Sequence, residues 1–501
     1  MTNRFTFQEG NTCKIMSDKK KVLFAAFEGL PFVKTGGLAD VIYALPRAIN
    51  SNKYEVRVIL PLLNEIRNRW SDRFYYLDHI KVDSGYIHEE ANIYNYYLDG
   101  IEYLFIENDT FFSRDNVYGY GDDACRFSFY NLAIIETLIK LDYYPDIIHE
   151  HDYHLGVLSA LCKLKYADNE NISKIKHVFT IHNLSYQGQY PRHVLSDFLE
   201  IDPKYYDDGT LRYGDGTNFL KNGIICSDII TTVSRTYAEE IKTPEYGFGM
   251  DEVLRYREND LYGIVNGLDP DIWNPRLDDI KENFDARNSA RVKHLNKKAL
   301  QEKLHLEEGN NILLVGMVSR LIWQKGIEIL IESVPEMLNK KVEVAVLGTG
   351  EENYVNALKE LEKYNPGKVA YVGEYKDATA KDFYAGLDVL LMPSYFEPCG
   401  ISQQIAMRYG TLPLVRETGG LKDTVRPYNK DRDDANGFGY TDNNRFSFLE
   451  TFNSVYEVFK NKGEWKKLIK NAMNTDNSFR KSADEYQKLY RKVLGEQDEK
   501  V

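Results

Sequence analysis

The sequence predicts an α/β protein built from two Rossmann-like, doubly wound domains that face a central cleft. Three observations predict it. Short apolar runs alternate with helical patterns along most of the chain, as parallel strands joined by crossover helices require. The alternation stops once, in the polar stretch 275–310, and then resumes. The 501 residues also exceed what one ordinary core serves. The domains are therefore placed at 20–270 and 306–480, with a linker at 271–305 and a closing C-terminal helix at 481–501. A cleft between two such domains is the default ligand site.

Taken in order, residues 1–19 lack the apolar core of a signal peptide and contain Glu9 and Asp18. They are read as a disordered leader, with Met16 an alternative start to Met1. Strand-like runs begin at Val22, Val56, Tyr103, Asp146, His177, Ile229 and Tyr262. Helical patterns lie between several of them, for example over 38–49 and 127–141. In the second half the runs begin at Asn311, Val342, Val369, Asp388 and Leu412. Phe448, Phe452, Val455 and Phe459 then recur at helical spacing, which predicts closing helices.

Composition removes several classes of function. The formal charge is -13, so a nucleic-acid partner, which would call for a basic face, is not expected. Cys13, Cys125, Cys162, Cys226 and Cys399 are scattered, odd in number and without a Cys-x-x-Cys pair. That argues against a disulfide framework and for a reducing compartment. No apolar run approaches the roughly 18 to 20 residues that span a bilayer, so no membrane partner is expected. The expected location is the cytoplasm; a plastid leader would be longer and poorer in acid.

Candidate site residues gather at strand ends, where open parallel sheets bind ligands. Glu397 lies between the strand 388–392 and a helix. The amides of Gly400, Ile401 and Ser402, with Cys399 in the same turn, would face an anion. A carboxylate beside a phosphate turn suits a ligand that also carries sugar hydroxyls; the alternative is a carboxylate that caps the helix. Arg320 and Lys325 follow the first strand of the second half, a position suited to a pyrophosphate. Gly348-Thr-Gly lacks the third glycine of a dinucleotide fingerprint.

In the first half, Glu28 precedes Lys34-Thr-Gly-Gly. Gly36 and Gly37 open a helix and Lys34 adds a cation, which fits a phosphate-approach turn or plain helix packing. His149, His151 and His154 could suggest a metal. No second ligand cluster accompanies them, so no metal is expected, and Asp152 and His154 are the better candidates for contact with a polar substrate. His182 leaves a strand at the cleft, where an imidazole either reaches a sugar hydroxyl or serves structure alone. The Asp269-Pro-Asp and Asp431-Arg-Asp strings read as turn chemistry.

Together the strings resemble the bacterial glycogen synthase and plant starch synthase family. The matching stretches are Lys34-Thr-Gly-Gly-Leu-Ala-Asp, His151-Asp-Tyr-His, Thr180-Ile-His-Asn, Val265-Asn-Gly-Leu-Asp, Ser319-Arg-Leu-Ile-Trp-Gln-Lys-Gly and Phe396-Glu-Pro-Cys-Gly, in the family's order. The resemblance implies the glycosyltransferase B fold and transfer of glucose from ADP-glucose to an α-1,4-glucan, with retention and without cofactor or metal. It implies that Lys34 and the Gly36-Gly37 turn bind donor, that Arg320 and Lys325 hold the diphosphate, and that Glu397 and Asn266 bind glucose. It further implies His182 against the sugar with Asp152 nearby, Tyr375 on the adenine, and Glu28 lining the pocket. Three departures stand out: Tyr153 replaces the usual tryptophan, Ile405 stands where many relatives carry a second glutamate, and the stretch from Gly373 is atypical. UDP-glucose as donor, an inactive glucan-binding scaffold and a two-domain oxidoreductase are the competing readings.

Overall fold

The computed structural model describes residues 19–496, so the leader, the choice between Met1 and Met16, and Cys13 lie outside the described residues. The first sheet is built from β1 (Lys20–Ala25), β2 (Tyr54–Pro61), β3 (Tyr75–Ser84), β4 (Ile87–Leu98), β5 (Ile101–Glu107), β6 (Ile147–His151) and β7 (Lys176–Ile181). A small pair, β8 (Gln189–Pro191) and β9 (Gly216–Asn218), stands apart. β10 (Ile229–Thr232) and β11 (Leu261–Gly263) then complete the first sheet in the order β11-β10-β7-β6-β1-β2-β5-β4-β3. The second sheet comprises β12 (Leu313–Val318), β13 (Val342–Leu347), β14 (Val369–Val372), β15 (Val389–Met392), β16 (Leu412–Arg416) and β17 (Phe438–Tyr440), in the order β14-β13-β12-β15-β16-β17.

The second sheet is parallel throughout, and its inner strands are buried along their whole length because helices cover both faces. That explains why they read as continuous apolar runs. The first sheet departs from a purely parallel one. β3 and β4 form an antiparallel hairpin on β5 that the apolar-run reading passes over. Their alternation of exposed and buried residues marks a half-solvated edge, so neither strand shows a long apolar run.

The span 271–305 contains the helix Ser289–Lys303, whose Lys293, Lys297 and Leu300 are buried. Lys297 Nζ reaches Asp388 Oδ2 at 2.6 Å, and Lys293 Nζ donates to the carbonyls of Ala385 and Tyr409. This helix therefore packs as part of the second domain. The closing helix, Phe479–Val493, returns to the first domain and buries Phe479, Tyr486 and Tyr490 in that domain's core. Each such burial is worth about 1.5–3 kcal/mol.

The chain crosses between the domains twice, and the crossings touch. Leu268 N donates to Asn477 O at 2.6 Å, and a Cβ on Gly267 would stand 2.3 Å from Phe479 N. In each sheet the strand order reverses beside the first strand, between β1 and β6 and between β12 and β15. These two switch points open onto the cleft from opposite sides.

Candidate active site

On the second domain, Arg320 follows β12 and Glu397 follows β15, so both belong to the switch point. Glu397 is buried, and its Oε2 accepts from Lys325 Nζ at 2.5 Å and from Ser394 Oγ at 3.3 Å. The following helix, Ser402–Arg408, has no side-chain cap, so Glu397 is not its capping residue. Lys325 sits just before Gly326, whose φ of +64° and 2.0 Å Cβ clearance to Pro393 O admit only glycine. That turn draws the Lys325 backbone onto the β15 loop. Arg320 is exposed, and among the described residues no hydrogen bond or ion pair engages its guanidinium. A cavity here is lined by Ser319, Lys325, Ser394, Glu397, Gly400 and Ser402.

Asn266 and Cys399 sit against each other behind this cavity. Asn266 O accepts from Gln404 Nε2 at 2.9 Å and lies 3.9 Å from Cys399 Sγ, while Asn266 Oδ1 is buried without a partner among the described residues. Burial pushes the Cys399 thiol up to about 12, so it is held as a neutral group. Tyr375, in the loop after β14, is 46 % exposed, free enough to offer a ring face.

On the first domain, Glu28 is buried after β1 and accepts from Thr35 N, which pins the turn that carries Lys34, Gly36 and Gly37. Burial raises its carboxyl above the ordinary range. Lys34 is exposed and paired with Asp40 at 2.9 Å. Gly37 opens the helix Gly37–Ala48, and a Cβ there would lie 3.3 Å from Ile401 Cδ1 of the other domain. The turn of the first domain thus faces the Gly400–Ser402 turn of the second across the cleft.

Asp152 and His182 end adjacent parallel strands, β6 and β7. Asp152 takes φ +62° and its Oδ1 accepts from His182 N at 2.7 Å. Burial pushes its carboxyl up to about 7 and the His182 imidazole down to about 3. His154, expected at the substrate, is instead withdrawn. It is buried against Phe27 and Tyr118, with ring centroids 5.5 and 4.5 Å away. The Asp-x-Asp strings make turns and ion pairs: Asp269 holds Asp271 N and Arg47, and Asp433 holds Lys467. Among the described residues no group of three or more His, Cys, Asp or Glu is placed to hold a metal, and no helix is long and apolar enough to cross a membrane.

The sequence reading missed Thr418-Gly419-Gly420. Gly419 has φ +45°, and a Cβ on it would lie 1.9 Å from Glu397 O, so this turn braces the Glu397 loop from behind. The Gly-Gly pair opening a helix after β16, like Gly36-Gly37 after β1, was the available signal.

Residues 21–256 match the family model described as the starch synthase catalytic domain, and residues 296–475 match glycosyl transferases group 1. The chain is 44 % identical to a glycogen synthase of Desulforamulus reducens over 95 % of this chain and 99 % of that one. It is 42 % identical to a glycogen synthase of Clostridioides difficile, over 94 % and 99 %. Among solved structures, the catalytic domain of starch synthase IV from Arabidopsis thaliana, bound to ADP and acarbose, superposes with a TM-score of 0.87 at 31 % identity, covering 95 % of this chain and 100 % of that one. Two α/β domains, a cation-lined switch point and near full-length kinship agree: the chain belongs to the glycogen synthase and starch synthase family of glucosyltransferases, with the glycosyltransferase B fold.

Proposed function

We propose that the enzyme transfers glucose from ADP-glucose to the non-reducing end of an α-1,4-glucan, with retention at the anomeric carbon. One observation carries the reading: the shielded Lys325–Glu397 pair shares the second switch point with Arg320, whose guanidinium has no partner among the described residues, and the Gly400–Ser402 turn there faces the Gly37 turn of the first domain. The barrier is departure of a nucleoside diphosphate with oxocarbenium character at the sugar. Arg320 and Lys325 place fixed positive charge on the leaving group, in a site already organised before substrate arrives. Glu397 and the free Oδ1 of Asn266 accept from glucose hydroxyls, and the amides of Gly400–Ser402 approach the phosphate. Lys34 comes from the opposite wall when the cleft closes, and His182, with Asp152 fixing its backbone, meets the sugar. Tyr375 offers its exposed ring to the adenine. The ADP bound to the Arabidopsis starch synthase supports the base, and the acarbose bound to the same protein supports a glucan acceptor.

The test is ADP release with ADP-glucose and glycogen, run beside UDP-glucose, for the wild type, Arg320→Ala and Glu397→Ala. The expected result is preference for ADP-glucose and a loss of about 10²–10³ in kcat for each variant. Preference for UDP-glucose would overturn the base assignment. Glycogen binding without turnover of either donor would replace the enzyme by a scaffold.

A further inference from the structure

His182 is half-buried at the cleft, and its Nδ1 has no protein partner among the described residues. Its Nε2 lies 2.9 Å from Nδ1 of His151, the last residue of β6. His151 is fully buried, its ring stacked on Phe24 at 5.6 Å and tilted against His149 at 4.3 Å. His149 is itself saturated: Nδ1 bonds Tyr490 Oη at 2.8 Å and Nε2 bonds Thr180 Oγ1 at 2.6 Å. His151 Nε2 has no partner among the described residues.

One proton must sit between His151 Nδ1 and His182 Nε2. If His182 donated, the proton of neutral His151 would sit on Nε2 as a buried N–H with no acceptor, which is rare and costly in folded proteins. If His151 donates from Nδ1, its Nε2 is left only a bare lone pair, the lesser loss. We propose that His151 is a positioning residue that donates from Nδ1 to His182 Nε2, fixing His182 as the Nδ1–H tautomer so that its cleft-facing nitrogen is a hydrogen-bond donor to a substrate oxygen. Burial holds both rings neutral, which leaves each a single proton to place. Phe24 and His149 pack against the His151 ring, and Tyr490, on a helix that returns from the second domain, fixes His149 in turn. The substrate half of this inference rests on the sugar contact proposed above for His182.

The experiment is a long-range proton–nitrogen correlation on the full-length enzyme labelled with ¹⁵N-histidine, with the His182 signals identified by their loss in His182→Gln. The wild type should show His182 protonated at Nδ1 and bare at Nε2; protonation at Nε2 overturns the proposal. His151→Asn, whose Nδ2–H can replace the Nδ1–H, should keep that tautomer and a kcat within about threefold of wild type. His151→Leu should release the tautomer and lower kcat on the order of 10- to 100-fold with a smaller change in donor KM, the worth of one hydrogen bond made in the transition state. Equal activity and an unchanged tautomer in His151→Leu would sink the positioning role. If that variant does not fold, the wild-type and His151→Asn spectra decide. Full activity in His182→Gln would remove the sugar contact while leaving the tautomer finding intact, so the two ideas fail separately.

Discussion

Lys325 Nζ lies 2.5 Å from Glu397 Oε2, and both side chains are largely shielded from solvent. The residues are 72 positions apart and lie in the loops that follow different strands of one sheet. Breaking a shielded pair from one side leaves the other charge uncompensated, a loss of about 3–5 kcal/mol. Lys325→Met should therefore lower both the thermal midpoint and kcat. Glu397→Gln keeps an acceptor carbonyl and leaves only a solvatable ammonium, so its midpoint should fall less while kcat still drops. Calorimetry beside steady-state kinetics checks this; equal midpoints in both variants would contradict it.

Asp152 should make stability depend on pH. Burial raises its native pKa to about 7, above an unfolded value of about 3.9. Between these values the native state holds a proton the unfolded chain has shed. The benefit of the protonated group is full below the lower value and is lost as pH rises through the upper one. The slope is at most about 1.4 kcal/mol per pH unit. Asp152→Asn should therefore gain on the wild type as pH rises from about 4 to 7, then hold a constant advantage. Denaturant titrations at a series of pH values would show it, and parallel curves would refute the assignment.

Two short helices cap each other across the cleft. Asp423 accepts from Arg235 N, Thr236 N and Thr236 Oγ1 at the start of the helix Arg235–Glu240, and Glu240 accepts from Gly419 N and Thr418 Oγ1 at the start of the helix Gly419–Thr424. Each cap is worth about 0.5–2 kcal/mol. Asp423→Ala should raise amide hydrogen exchange in both helices, because loosening one carries the other's cap away. Exchange that rises only over 235–240 would show the caps to be independent.

Gly267 sits where the two crossings touch. Gly267→Ala places a Cβ against the backbone of Phe479, which no rotamer can relieve. The expected outcome is a lower midpoint together with a lower kcat, because the clash lies at the point where one domain turns on the other. A normal midpoint and kcat would show that the crossings have room to part.

Much of the site was legible because its residues lie where parallel strands end. A buried strand is a run of apolar residues, and the next polar residue faces the cleft, so Glu397, Arg320, Asp152 and His182 could be placed from local pattern. The hairpin β3–β4 was not legible, since a half-exposed edge carries no such run. His154 was misplaced because one strand end projects residues both to the cleft and into the core, and only the rings of Phe27 and Tyr118 settle which.

The sequence by itself determined the two-domain α/β architecture, the family and the residue types at each strand end, because these follow from periodicity and short contiguous strings. The tertiary structure decided the partners. That Lys325 holds Glu397, that Gly419 braces the same loop, that His151 holds His182 and that Gly267 meets Phe479 all depend on contacts that only the folded chain makes. Those contacts are set by sheet order and by the second crossing of the chain. Local propensity carries no record of distance between strands, so only the folded chain could pair these residues.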